Sequence, residues 1–192
     1  MIHVAPVPEP PGFDAEVRQK GNAWLLQSRE GTPPAYWTAF APHLAAGFND
    51  RCGYGAMYEP KGTVDHYIGQ SECRCFIYEW RNYRFCSGWM NSSKSTGSSG
   101  GLRVLDPFEV QDGWFEIILP SLQLRVTEKV PDELRERAKY TLSCLHLCDD
   151  ERVVRQRRHW MEEYERTGDI GVLERHAPLL ARAVEKQTKV AE

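Results

Sequence analysis

The length, composition and charge of the chain argue against a membrane-spanning protein and against a uniformly basic nucleic-acid binder. Its 192 residues suffice for one domain with a sizeable core, and 41% hydrophobic with 27% charged residues is typical of a globular protein. No apolar run approaches the ~20 residues that span a bilayer, and the N-terminus lacks the pattern of a secretory signal. We therefore expect a cytoplasmic protein with no membrane partner. The net charge is −3, although residues 74–103 carry five basic residues and one acidic residue.

The first half of the chain predicts two helices and a hairpin. After an extended, proline-rich arm, helical patterns cover residues 13–29 and 36–48, and the aromatic residues of the second are expected in the core. Residues 52–67 contain two short segments around the turn-forming tetrapeptide EPKG. They predict a β-hairpin whose second strand ends in Asp65 and His66.

The second half predicts a loop, strands and then helices. Residues 92–101 are low in complexity and predict a mobile loop after a turn or two of helix. The segments RVLDPFEV (103–110) and WFEIILPSLQLRVTEKV (114–130) alternate enough to predict strands, the second broken at Pro120. The three predicted C-terminal helices span 132–147, 150–167 and 170–187.

The Asp65-His66 pair gains meaning from the polar residues that follow it. A histidine that takes a proton from water must be neutral and held in one tautomer, and phosphodiester hydrolysis is helped by a divalent cation with hard oxygen ligands. Asp65 supplies one such oxygen. Asn82 lies 16 residues after His66, Asn91 nine residues after Asn82, and Lys94 three residues further on. Each residue alone also has an ordinary explanation as a strand end, turn, cap or surface residue.

In this order and spacing, the segments VDHY, YEWRNYR, MNSSK and VLDPFEV resemble the HNH (ββα-metal) endonuclease family. They look like a bacterial subgroup that includes nucleases similar to the effector of Septu-type anti-phage systems. The resemblance implies an α+β protein with a ββα-metal core at residues 50–110. N-terminal helices (13–49), a β segment (111–130) and C-terminal helices (131–192) would flank that core, all in a single domain over 1–192.

The resemblance also implies a role for each matching residue. Asp65 and Asn91 would hold Mg²⁺ or Mn²⁺, and His66 would activate a water molecule. Asn82 would orient the hairpin and the His66 ring, and Lys94, on the first turn of a helix, would lie near a phosphate. The products would carry 5′-phosphate ends. The candidate contacts to the nucleic-acid backbone are Lys94, Arg81 and Arg84.

The resulting hypothesis is a cytoplasmic, metal-dependent endonuclease that acts on DNA. The subgroup resemblance implies antiviral defence and a partner ATPase. Since one HNH site cuts one strand, double-strand cleavage would require a homo-oligomer or two successive nicks. Two alternatives stay open: a catalytically inactive nucleic-acid-binding or assembly subunit with the same fold, and a toxin whose aromatic N-terminal helices bind a partner.

A structural zinc ion is not predicted, although many HNH proteins hold one with two Cys-x-x-Cys pairs. Gly55 stands where a second cysteine would follow Cys52, and no Cys-x-x-Cys begins at Cys86. The six cysteines favour reduced thiols or metal ligands over disulfides. In place of zinc we expect apolar packing by Cys52, Trp80, Phe85, Trp89 and Met90. An unusual four-cysteine site is the alternative, formed by Cys52, Cys73, Cys75 and Cys86.

Overall fold

The protein has an α+β architecture, in agreement with the sequence prediction, and contains two small antiparallel sheets with helices around them. The structure is a computed structural model that describes residues 1–27, 31–96 and 101–191. Residues 28–29 of the first predicted helix and residues 97–100 of the predicted mobile loop lie outside these ranges.

The N-terminal helices form where the aromatic pattern predicts them. Gly21 is required in the first of them because the ring of Tyr78 fills the space that a Cβ atom would occupy. This close approach explains a glycine inside a helix, where it is otherwise unfavourable. In chain order the elements are a π-helical stretch (Asp14–Gln19) that continues as α1 (Lys20–Gln27), and a 3₁₀ stretch (Tyr36–Phe40) that continues as α2 (Ala41–Gly47).

The first sheet joins two strands that are distant in the sequence. Strand β1 (Thr63–His66) pairs antiparallel with β2 (Tyr83–Cys86), and Asp65 lies opposite Arg84. Helix α3 (Gly88–Thr96) follows β2 directly and packs against β1. Asp65 and His66 therefore lie at the end of a strand, as predicted, and a helix covers that strand.

The predicted hairpin within residues 52–67 is wrong in its pairing. The segment before the EPKG turn makes only an isolated bridge between Arg51 and Tyr58, and it curls into a tight loop in which Ala56 N donates to Cys52 O at 2.8 Å. Strand β1 instead pairs with β2, whose four residues are all buried. A local turn signal cannot specify a partner that lies across a long connection.

The second sheet confirms the predicted break at Pro120, and the strands on either side of the break pair with each other as a hairpin. Strand β3 (Phe115–Ile118) pairs with β4 (Gln123–Val126). The predicted strand at 103–110 is absent from the structure. Pro107 has no N–H group to donate to a neighbouring strand. The Asp106 side chain accepts a hydrogen bond from the main-chain N–H of Phe108, which makes a turn.

The C-terminal part is helical, as predicted, but the third predicted helix is divided in two. Ala177 has an extended φ of −150° because a residue before proline disfavours the helical conformation. Gly168 ends the preceding helix with a left-handed φ of 68°. The four helices are α4 (Asp132–Cys144), α5 (Glu151–Thr167), α6 (Ile170–His176) and α7 (Pro178–Ala191).

Two buried clusters lie on either side of the first sheet. The aromatic cluster contains residues from the N-terminal helices together with Val64, Tyr83 and Phe85 of the sheet. The larger cluster contains Cys86, Met90 and the apolar faces of the C-terminal helices and the second sheet. Strand β1 thus lies at the junction of the two clusters. None of the helices in the described ranges is long and apolar enough to cross a membrane.

Candidate functional site

Asp65 is a buried carboxylate that is fully engaged by donors. Its side chain is only 3% exposed, and it accepts a hydrogen bond from the Tyr54 hydroxyl at 2.6 Å. Lys94 Nζ lies 2.8 Å from Oδ1 and 3.0 Å from Oδ2. Burial, and then the charge of Asp65, raise the pKa of Tyr54 well above its usual 10, so the hydroxyl stays a neutral donor.

Lys94 extends from α3 across the end of β1. Its ammonium also donates to the main-chain oxygen of His66 at 2.6 Å, so three oxygens surround it. The structure places Lys94 in the last turn of α3, because that helix begins earlier than predicted, at Gly88. The expected first-turn position is wrong, and the ammonium lies on the carboxylate rather than at an open surface.

Asn91 lies on the same side of α3, three residues before Lys94, and faces β1. Its Nδ2 is 3.5 Å from the carbonyl oxygen of Val64, the residue that precedes Asp65. Residues three apart on a helix share a face. The fold therefore brings Asp65, Asn91 and Lys94 together at the end of β1.

The environment of His66 fixes its tautomer. Nε2 lies 2.9 Å from the carbonyl oxygen of Ile77, which can only accept, so Nε2 carries the proton and Nδ1 is the acceptor. The Gln70 amide is 3.5 Å from Nδ1. The rings of Trp37 and Tyr83 pack edge-on against the imidazole, with centroids 4.6 and 5.0 Å away. Burial lowers the pKa of His66 below 6.5, which favours the neutral ring at pH 7.

Asn82 organises the connection between β1 and β2 rather than the ring itself. Its Oδ1 accepts from the amide of Ile68 at 2.7 Å, and its Nδ2 donates to the carbonyls of Ile68 and Phe76 at 3.0 Å each. Phe76 directly precedes Ile77, whose carbonyl binds His66. Asn82 therefore holds the segment that carries the Ile77 carbonyl.

Asp65 and His66 present their side chains to opposite faces of the first sheet, as neighbours in a strand must. The carboxylate faces Tyr54 and α3, and the imidazole faces the aromatic cluster. His66 is the last residue of β1, so both side chains leave the sheet at the end of the strand. The main-chain oxygen of His66 accepts from Lys94.

Of the two arginines predicted to contact DNA, one is enclosed in the protein. Arg84 forms a bidentate pair with Asp106, with Nε–Oδ1 at 2.7 Å and Nη2–Oδ2 at 2.5 Å, and its guanidinium stacks 3.6 Å from the ring centre of Phe108. Its side chain is 4% exposed. The predicted backbone contact by Arg84 is therefore wrong. Arg81 is exposed and is free to face solvent, with its guanidinium 5.5 Å from the ring centre of Phe76.

The cysteines depart from expectation at one position. Cys73 and Cys75 form a disulfide, with Cα atoms 5.3 Å apart, so the prediction of reduced thiols is wrong for these two residues, and the alternative four-cysteine site is wrong as well. Their proximity in the chain allows the bond without a long-range contact. The remaining four cysteines have free thiols.

The position expected for zinc is filled by side chains. Cys52 Sγ lies 3.4 Å from Met90 Sδ and 3.8 Å from Ser87 Oγ. The predicted packing is confirmed for Cys52, Trp89 and Met90, which belong to the larger cluster. It is wrong for two residues that belong instead to the aromatic cluster, Trp80 and Phe85.

The residues around Asp65 fit a divalent cation by the chemistry of their donors. A carboxylate and a side-chain amide are oxygen ligands of the kind that Mg²⁺ and Mn²⁺ prefer. The ammonium of Lys94, held by three oxygens, stands in for a cation at this place. Within the described ranges there is no group of three His, Cys, Asp or Glu residues suited to a metal. A cation here would therefore depend on Asp65, Asn91, main-chain oxygens and solvent.

Sequence reasoning missed three residues of this site. Tyr54 contacts Asp65 from a segment that the sequence predicts to be a strand, and Gln70 approaches His66 from an irregular connection. Ile77 contributes only its main-chain oxygen, which any residue would supply. No sequence signal could have identified these three contacts.

Comparison of the chain with models of protein families gives no match, and comparison with curated protein sequences gives none either.

Proposed function

We propose that this protein is a metal-dependent endonuclease that hydrolyses phosphodiester bonds of DNA. Its core would be of the ββα-metal type, made of β1, β2 and α3. The observation that carries the proposal is a buried carboxylate that binds a cation, one residue from a neutral histidine of fixed tautomer. A carboxylate beside a histidine that holds a free lone pair is the combination that metal-assisted hydrolysis by a general base requires.

His66 is the general base of the proposed reaction. The carbonyl of Ile77 holds the proton on Nε2, so Nδ1 presents a lone pair that can take a proton from water. The aromatic neighbours of the ring lower the polarity around it and keep the imidazole uncharged before the reaction. The bond to Ile77 also stabilises the imidazolium that forms, since the carbonyl dipole faces the positive ring.

Asp65 and Asn91 would hold the metal ion. A divalent cation bound there would neutralise charge on the phosphoryl group and on the departing 3′ oxygen. Tyr54 holds the carboxylate of Asp65 by donating to Oδ2, and so limits its rotation. The metal ligands would thereby be oriented before the substrate arrives.

Contacts to the DNA backbone would come from Arg81 and Lys94 in this basic stretch of the chain. Arg81 is already exposed, whereas Lys94 would have to leave Asp65. With few such contacts, affinity should be modest and should fall with salt. A partner ATPase, a homo-oligomer, a cytoplasmic location and a role in anti-phage defence belong to the same proposal and rest on the sequence resemblance alone.

A second candidate function is an inactive nucleic-acid-binding or assembly subunit. One observation favours it: the carboxylate of Asp65 is closed off by Lys94 and Tyr54, and His66 is only 8% exposed. A protein that had lost the chemistry could keep such a closed site as part of its core. The two candidates differ in whether a metal ion enters and whether DNA is cut.

Cleavage of supercoiled plasmid in Mg²⁺ or Mn²⁺ tests the proposal. We expect nicking by the wild type, none in EDTA, and a rate lowered about 10²- to 10⁴-fold in His66→Gln. His159→Gln is the matched control, because His159 is exposed on α5, and it should cut at the wild-type rate. Equal cleavage by His66→Gln would contradict the proposal. A wild type that binds DNA but does not cut in either ion would favour the inactive subunit.

A further inference from the structure

The ammonium of Lys94 occupies a place with the properties of a cation site. Its three oxygen contacts, at 2.6, 2.8 and 3.0 Å, come from both carboxylate oxygens of Asp65 and from the main-chain oxygen of His66. The side chains of Lys94 and Asp65 are 12% and 3% exposed. This is a buried ion pair, unlike the exposed surface pairs of the chain such as Lys186 with Glu116.

A buried carboxylate destabilises a fold unless a charged or hydrogen-bonding partner compensates it. Without Lys94, the described surroundings of Asp65 offer it one direct hydrogen bond, from the neutral hydroxyl of Tyr54. Removing one partner of a buried pair leaves an uncompensated charge and is strongly destabilising. Lys94 thus keeps the site folded when no metal is bound.

A divalent ion and an ammonium cannot both hold the same two carboxylate oxygens. They would lie within a few ångströms of each other, where like charges repel strongly in a partly buried setting. Resting on the proposed function, we propose that Lys94 is a built-in competitor of the metal ion. It neutralises Asp65 in the metal-free protein, is displaced when a divalent cation binds, and is then released towards the substrate phosphate.

The architecture permits this exchange without a change of fold. Lys94 lies in the last turn of α3, and its four-carbon side chain can swing while the helix stays on β1. Asn91, one turn earlier, keeps its position beside β1 and would remain as a ligand. The site would therefore bind metal weakly without DNA, and phosphate would favour metal binding by accepting the displaced ammonium.

Mn²⁺ binding measured by calorimetry tests the exchange directly. Lys94→Met removes the competing charge, so the Mn²⁺ affinity should rise by roughly one to three orders of magnitude over the wild type. Lys94→Arg keeps the charge and should bind as weakly as the wild type. Lys186→Met removes a lysine from an exposed carboxylate pair and should change nothing. Asp65→Asn should abolish binding.

Thermal unfolding gives a second readout that does not depend on activity. In EDTA, Lys94→Met should melt roughly 10 °C below the wild type, because Asp65 loses its counter-charge. Saturating Mn²⁺ should restore most of that loss and should raise the wild-type Tm far less. If Lys94→Met does not fold, Lys94→Gln, which keeps a hydrogen-bond donor without the charge, replaces it in both measurements.

Two results would overturn the inference, and they are distinguishable. Mn²⁺ binding that is lost in Asp65→Asn but no tighter in Lys94→Met would show that Lys94 does not compete, while the metal site of the proposed function would stand. Absence of Mn²⁺ binding in both the wild type and Lys94→Met would remove the metal site itself and the proposed function with it.

Discussion

At the scale of single residues, one carbonyl oxygen makes the two nitrogens of His66 chemically different. Ile77 O accepts from Nε2 at 2.9 Å and from the Tyr83 hydroxyl at 2.8 Å. The same oxygen thus ties the imidazole to the neighbouring strand. This arrangement gives a base with a defined lone pair, and it depends on the position of a backbone segment rather than on another charged side chain.

The buried Arg84–Asp106 pair should stabilise the fold and not bind DNA. Arg84→Met is expected to lower the free energy of unfolding by about 3–5 kcal/mol, because Asp106 is left buried without its partner. Replacing both residues, as in Arg84→Met with Asp106→Leu, should recover part of that loss. Urea denaturation of the single and double variants measures the coupling.

Arg81→Met is the matched control for that series, since Arg81 is exposed three residues earlier. Its stability should lie within about 0.5 kcal/mol of the wild type, while its DNA affinity falls. An Arg84→Met protein of wild-type stability with impaired DNA binding would assign the contact to Arg84 after all.

The residues that the sequence could identify are those that carry chemistry in their side chains. Asp65 and Asn91 lie close together because α3 follows β2, the strand paired with β1, and packs against β1. The sequence does not predict the Lys94–Asp65 contact. A lysine that binds phosphate and a lysine that pairs with a carboxylate give the same sequence signal. The burial of Arg84 was not foreseen either, because its partner belongs to a segment whose conformation was predicted wrongly.

At the scale of elements, the connection between β1 and β2 determines how the imidazole is held. Asn82 makes three hydrogen bonds to this connection, and its side chain is enclosed. Asn82→Ala should destabilise the protein by about 1–3 kcal/mol, because main-chain groups lose buried partners. It should also loosen the Ile77 carbonyl and thus mix the two tautomers of His66.

Nitrogen-15 NMR of the imidazole reads that tautomer mixture directly. The wild type should show one tautomer, protonated at Nε2, and Asn82→Ala should show both. Asn91→Ala, which leaves this connection intact, is the comparison and should keep the wild-type spectrum of the ring. An unchanged tautomer in Asn82→Ala would mean that Asn82 stabilises the fold without positioning His66.

The packing around Cys52 brings four chain positions close to one another. Cys52 lies against Ser87 and Met90, and a Cβ added at Gly55 would be 3.6 Å from Cys52 Sγ. Three side chains and the Cα of Gly55 therefore converge. The triple variant Gly55→Cys, Ser87→Cys, Met90→Cys should bind one Zn²⁺ or Co²⁺ tetrahedrally.

Cobalt binding is followed by its visible absorption, and zinc binding by a rise in Tm. The tetrahedral cobalt spectrum should appear in the triple variant and disappear when Cys52→Ser is added to it. If the triple variant gave no such spectrum, the four positions would not share a centre at which one metal ion can be bound.

Element boundaries were predictable where the pattern is local and were not where pairing is distant. The hairpin of β3 and β4 forms around Pro120, and α4, α5 and the N-terminal helices lie close to their predicted positions. Tertiary contacts determine the pairing of β1 with β2 and the turn at 103–110. One of these contacts joins Arg84 of β2 to Asp106, 22 residues later in the chain. Alternating residues alone cannot reveal such a contact.

At the scale of the whole molecule, β1 connects two separate buried clusters. Val64 belongs to the aromatic cluster formed with the N-terminal helices, whereas Cys86 on the paired strand belongs to the larger cluster. Asp65 and His66, which face opposite sides of the sheet, are therefore held by different parts of the chain. A metal ion at the end of β1 would act where these two parts meet.

The most direct test of the metal site is a crystal structure with Mn²⁺, with anomalous scattering recorded at the manganese edge. We expect one anomalous peak bonded to Asp65 and near Asn91, with the ammonium of Lys94 moved off the carboxylate and His66 Nδ1 facing the same region. A map at saturating Mn²⁺ with no peak there, and with Lys94 still on Asp65, would contradict the metal site and leave the inactive subunit as the better description.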